Sequence, residues 1–126
     1  MSRIARFRVD GFEPRQIAGL DADWFGALTF DKTFTAGVLG TATTVFLSSG
    51  DEGSRAYVAV ERITGRLEDG DGEGSMTVHH GGLESDPGSS FGHIVPGTGT
   101  GPFAGWQGPA RIDHDADGPF FVIDLV

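Results

Sequence analysis

Hydrophobic and polar positions alternate along most of the chain, and the alternation is broken at short intervals by glycine-rich punctuation. Ile4 to Val9 sets Ile4, Arg6 and Arg8 against Ala5, Phe7 and Val9, the period-2 pattern of a half-buried strand whose odd-numbered face points inward. Ala27 to Thr35 places Leu28, Phe30, Lys32 and Phe34 on one face. Ala36-Gly37 then turns the chain into a strand of Val, Thr, Leu and Phe from Val38 to Ser48. Arg55 to Thr64 puts Tyr57, Ala59, Glu61 and Ile63 on one side and Val58, Val60, Arg62 and Thr64 on the other. After the turn DGDGEG, Glu73 to His80 sets Met76, Val78 and His80 against Ser75, Thr77 and His79. Short strands are expected at Phe91 to Pro96, Phe103 to Ile112 and Pro119 to Val126. Gly11 to Gly26, with Pro14, Trp24 and Phe25, shows neither period and reads as a connection whose aromatic end covers a barrel mouth. Ser49 to Ser54, Gly81 to Ser90, Gly97 to Pro102 and Asp113 to Gly118 read as loops and turns. About eight short strands at such intervals predict an all-β fold, a small antiparallel β-barrel arranged as a meander. A barrel of that size has a lumen wide enough for packed side chains or one small ligand.

Composition narrows the function classes. The 126 residues are expected to form a single β-barrel domain over 1–126, and 38% hydrophobic content with 21 glycines and 6 prolines suits short strands and tight turns. A net charge of -9, with Lys32 the only lysine, argues against nucleic acid and anionic membrane as partners. The absence of cysteine excludes disulfides and thiolate chemistry. No apolar leader segment or membrane-length run is present, so a cytoplasmic location is expected. A homodimer is the expected assembly if aromatic side chains remain exposed.

The chemistry-bearing residues concentrate in Tyr57 to His80. If Tyr57 and Glu61 face the same interior as Met76 and His80, a phenol, a carboxylate and an imidazole line one apolar chamber. Desolvation and neighbouring charges tune such groups for acid and base work. The plainer alternative pairs Glu61 with an arginine and leaves His80 as a hydrogen-bonded core histidine. Met76, Val78, Phe91, His93, Phe103 and Trp106 are the candidate ligand-binding residues, provided that the aromatic ones reach the lumen.

Three motifs read as structure rather than as sites. Asp113 to Gly118 has the opening spacing of a calcium loop, with Asp124 at the twelfth position, but its flanks read as strands, so it is taken as a hairpin turn. His79 and His80 point to opposite faces of one strand and cannot chelate one ion together; no metal or other cofactor is expected. Pro96 to Gly101 lacks the lysine and the helix of a phosphate loop.

The run YVAVERITGRLEDGDGEGSMTVHHGG, followed by HIVPGTGTGPFAGWQG and FFVIDL, resembles the bacterial family called domain of unknown function 3224, known for an allene oxide cyclase-like β-barrel. The resemblance covers Lys32 to Leu125 and leaves out Gly11 to Gly26. It implies a barrel that binds an apolar small molecule, with relatives that steer a cyclisation through shape and a few polar groups. On that likeness Glu61 occupies the glutamate of the family's Tyr-Val-Ala-x-Glu strand and His80 its strand-end histidine. Two functions are therefore carried forward. One is a cofactor-free isomerase or cyclase using Glu61, His80 and Tyr57; the other is a non-catalytic, lipocalin-like binding protein. A structural or interaction domain with a packed lumen is the third alternative.

Overall fold

The computed structural model describes residues 1–126. Eight strands close into one barrel in chain order: β1 (Ser2–Arg15), β2 (Phe25–Ala36), β3 (Val38–Ser49), β4 (Ala56–Leu67), β5 (Gly74–Leu83), β6 (Asp86–Ile94), β7 (Gly108–Asp115) and β8 (Gly118–Asp124). Every neighbouring pair is antiparallel, and β8 returns to β1 through Ser2↔Asp124 to Arg6↔Phe120. Closure removes the unpaired edges that an open sheet of eight strands would expose. No helix is long and apolar enough to cross a membrane.

The inward faces follow the alternation. Ala5 and Phe7, Lys32 and Phe34, Ala42 and Thr44, Glu61 and Ile63, Met76, Val78 and His80 are all buried, while the intervening residues face outward. The strands are longer than the sequence suggests. β1 continues to Arg15, with register shifts between Arg6 and Phe7 and between Val9 and Gly11, so only residues 16–24 form the connection.

Two expectations are corrected. Gly81 to Ser90 is a hairpin between β5 and β6 rather than a long loop, with a register shift between Gly81 and Leu83. Residues 103–107 are not strand. Gly101–Phe103 forms a short 3₁₀ turn with Pro102 in it, and Gly105 and Gly108 have positive φ, a course that an extended strand cannot follow.

The barrel is packed unevenly along its axis. Thirteen buried residues, among them Phe7, Phe34, Ile63, Met76, Ile94, Phe103 and Phe121, fill the end that carries the N-terminus and the β6–β7 connection. Phe103 plugs that end, and Trp106 lies edge-on to it at 5.2 Å with the Arg3 guanidinium over the Trp106 ring. Close strand approach is part of this packing: a Cβ on Gly40 would run into the Thr64 carbonyl, and one on Gly92 into the carbonyls of Ala110 and His79. Toward the opposite end, where β1–β2, β3–β4, β5–β6 and β7–β8 turn, the lumen opens.

Candidate functional site

At the junction between the packed and the open halves of the lumen sits a chain of four polar side chains. Lys32 of β2 donates from Nζ to Glu61 Oε1 at 2.7 Å, and His80 Nε2 lies 2.9 Å from the same oxygen. Tyr57 Oη lies 3.1 Å from His80 Nδ1. Lys32, Glu61 and His80 are 4%, 0% and 3% exposed, so three ionisable groups are removed from water together.

The register explains how they meet. Tyr57 and Glu61 share the inner face of β4, and His80 lies opposite Ala59 on β5, between them. Lys32 comes from two strands away, across β3, whose inner face there carries only Ala42 and Thr44. Gly92, opposite His80 on β6, leaves room for the imidazole. Phe46 stacks on Tyr57 at 4.7 Å, and Phe121 meets the His80 ring edge-on at 5.4 Å, so both rings are held in place.

The protonation states follow from these partners. Burial alone would raise the Glu61 pKa, but the His80 hydrogen bond and the Lys32 ammonium outweigh it, and the carboxyl is held below its ordinary value. Glu61 is therefore ionised and Oε1 accepts from both neighbours. Burial, with the Glu61 charge added, pushes Tyr57 up to about 12, so its O–H is kept and donates to His80 Nδ1. A neutral imidazole with its proton on Nε2 satisfies both contacts and leaves the Lys32–Glu61 pair as the only opposed charges in the cluster. Lys32 Nζ also lies 4.2 Å from the centre of the Phe7 ring, a cation–π contact. Two buried polar atoms here have no partner: Glu61 Oε2 and Thr44 Oγ1, on residues directly paired across β3 and β4.

Above this cluster lies a cavity of about 290 Å³. Phe7, Phe30, Phe46 and Ile112 give its apolar wall, and Lys32, Thr44, Tyr57 and His80 its polar floor. Glu61 stands behind that floor and does not line the space. A second apolar groove of about 370 Å³ runs along the rim between Ile17, Leu20 and Trp24 of the connection and Leu47, Tyr57 and Val58. Tyr57 borders both spaces. Trp24 is 71% exposed and lines this groove together with Phe25.

The other candidate residues are dispersed. Met76 and Val78 point inward but are fully buried in the packed half, away from the cavity. Phe103 and Trp106 stand at the plugged end. Phe91 and His93 do not reach the lumen: β6 turns Gly92 and Ile94 inward, which leaves Phe91 56% exposed and His93 on the outer face opposite His79. No three His, Asp or Glu residues converge as a metal-binding group. The 113–118 segment is the β7–β8 hairpin, with Asp115 opposite Gly118 and its carboxylate on Arg6 at 2.7 Å.

Sequence reading missed Lys32 and Thr44 as members of the site. Lys32 had a visible signal, a lone charge on the apolar face of Leu28, Phe30 and Phe34. Thr44 had none, being one of several threonines in β3.

The fold and this cluster define a closed, eight-stranded antiparallel barrel with a partly hollow, partly polar lumen. Residues 4–125 match the family described as protein of unknown function (DUF3224), and the chain belongs to it. A solved structure from the same family, a protein with unknown function from Shewanella oneidensis MR-1, is similar with a TM-score of 0.78 at 23% sequence identity. The match covers 100% of this chain and 96% of that one, and it shows a shared fold. No curated protein matches the chain.

Proposed function

We propose that this barrel binds a small apolar molecule in the open half of its lumen. The observation that carries this reading is the cavity of about 290 Å³, walled by Phe7, Phe30, Phe46 and Ile112 over a few convergent polar groups. That is the composition of a ligand site, at the small end of the usual size range. A core packed for stability alone would fill the space, because voids cost free energy in proportion to their volume.

Native mass spectrometry of the protein as purified from cells, followed by a thermal-shift screen against apolar metabolites and divalent metals, tests the proposal. A retained mass, or a melting temperature that climbs with ligand concentration, is expected. Ile112→Trp, which fills the cavity from β7, should abolish the ligand response. No retained mass, and no response to any compound, would overturn the reading.

A second reading, a cofactor-free isomerase or cyclase, is favoured by the hydrogen-bonded chain from Tyr57 to Glu61. Tyr57 touches the cavity and would accept a proton from the substrate as it passes its own to His80 Nδ1. The imidazolium so formed would be held by the Glu61 carboxylate. Return of the proton to another substrate atom completes an isomerisation with no net change in protonation. In this scheme His80 is the base and Tyr57 the carrier. Glu61, which lies behind the cavity floor, is a positioning residue. Tyr57→Phe should then abolish turnover while sparing affinity, whereas a pure binder would show a change in affinity alone.

A further inference from the structure

We propose that His79 and His93 form a two-imidazole chelate for a borderline divalent transition ion, Ni²⁺, Cu²⁺ or Zn²⁺, on the outer face of the barrel. The site is separate from the lumen and independent of the binding reading above.

Register is the first reason. His79 of β5 and His93 of β6 are directly opposed in the ladder and both are exposed, so their side chains leave the same face of the sheet. Residues opposed in this way have Cβ atoms about 4.5–5.5 Å apart. When two imidazoles hold one tetrahedral ion through bonds of about 2.0–2.1 Å, their ring centres stand about 5 Å apart. Here the ring centres are 5.7 Å apart, with the planes tilted by 54°. Small side-chain rotations, open to exposed rings, bring one nitrogen of each onto a shared ion.

Free donors are the second reason. The His80 ring is committed at both nitrogens. The rings of His79 and His93 make no hydrogen bond or salt bridge and meet one another instead, so no existing bond opposes ligation. Arg62, the next outward residue of β4, does not compete for the site. Its guanidinium is tied to Ser75, Thr77 and the Thr98 carbonyl, toward the Ser75 end of β5.

The surroundings select the class of ion. The pair borders an apolar groove of about 320 Å³ walled by Val45, Leu47, Val58, Val60 and Phe91. No carboxylate lines it, so Ca²⁺ and Mg²⁺ find no oxygen ligands, whereas imidazole nitrogen suits the borderline transition ions. The two coordination positions left over go to water. A chain of net charge -9 also draws cations to its surface.

The place in the fold gives the chelate a structural role. Only His93↔Pro109 and Ile94↔Gly108 pair β6 with β7, the shortest ladder in the barrel, and Pro109 brings no N–H to it. An ion that clips His93 to His79 fastens β6 to β5 beside that seam.

Isothermal titration of the intact, untagged protein with NiCl₂ tests the proposal. One Ni²⁺ per chain is expected, with a melting temperature that climbs with Ni²⁺ concentration. His79→Ala and His93→Ala should each weaken Ni²⁺ binding on the order of a hundredfold, because either change returns the ion to a lone imidazole. The double variant should lose no more than either single one. Ile112→Trp, which fills the lumen, should leave Ni²⁺ binding intact. The electron paramagnetic resonance spectrum of the wild type with one equivalent of Cu²⁺ should show two imidazole nitrogens on the ion. Absence of Ni²⁺ binding, an affinity within about twofold of wild type in either single variant, or a Cu²⁺ spectrum with one nitrogen would overturn the chelate. The wild-type spectrum decides the matter even if a variant does not fold.

Discussion

His79 and His80 are neighbours in the chain and occupy two different chemistries. His80 points into the barrel, 3% exposed, with both ring nitrogens hydrogen-bonded and Phe121 against its edge. The His79 ring points outward and faces His93 across the β5–β6 ladder with ring centres 5.7 Å apart. The same contrast runs along the whole sheet. On the inner face, Lys32, Glu61, Thr44 and Tyr57 surround an apolar space. On the outer face, Val45, Val58, Val60 and Phe91 stand exposed in rows beside the two histidines. Strand parity, not residue type, decides which imidazole is coupled to a carboxylate.

Removing the inner carboxylate should have the largest effect. Glu61→Leu strands Lys32 as an unopposed buried charge and is expected to cost about 3–5 kcal/mol of unfolding free energy, measured by denaturant titration. Lys32→Met combined with Glu61→Leu should recover much of that loss, since an apolar pair replaces an ion pair in a dry site. A double variant as unstable as the single one would mean that the ion pair is not what matters there.

The histidine contrast itself comes next. His80→Ala leaves Tyr57 Oη without its partner and opens a void against Phe121, an expected loss of about 2–4 kcal/mol. His79→Ala should stay within about 0.5 kcal/mol of wild type, as outward-facing substitutions usually do. Equal losses from the two variants would break the comparison.

A smaller effect is expected in acid. The Glu61 pKa in the folded protein lies below the ordinary value of 4.5, so its contribution to stability is complete above about 4.5 and is lost as pH falls through the folded-state value. Melting temperature should therefore decline on acidification below pH about 4.5. Subtracting the profile of the Lys32→Met, Glu61→Leu variant should isolate the part due to Glu61, because Asp10 and Asp115 are also held low and contribute at their own surface pairs.

Much of this inner face was legible in the sequence. The alternation grouped Phe30 with Lys32, Tyr57 with Glu61 and Met76 with His80 on shared faces, because a closed barrel buries one face of every strand and leaves a period of two. It named the inward face only for β1, where Phe7 is indeed buried, and left open which face of β4 points inward. The β6 residues Phe91 and His93 were not legible as outer-face residues. Glycine and serine in Gly81 to Ser90 hide the start of that strand, and the register shift near Gly81 cannot be seen without its partner strand. The Phe103 to Gln107 turn reads as apolar and extended, yet its course is set by positive-φ glycines and by the plug that Phe103 forms. The Lys32–Glu61 contact was illegible for a further reason. It reaches across β3 and depends on the small side chains of Ala42 and Thr44, which only the three-strand register brings together.

A buried, hydrogen-bonded chain ending at Tyr57 forms the floor of the lumen, and its most direct test uses the fact that Tyr57 is the only tyrosine. The ionisation of this phenol can be followed by ultraviolet absorbance in the native protein and in denaturant without interference from another. A native midpoint near 12 is expected, against about 10 for the unfolded chain. The raised value means that the stability contributed by Tyr57 is whole below pH 10 and is lost as pH rises through 12. A native midpoint close to 10 would place the phenol in water and contradict the buried chain from Tyr57 to Lys32.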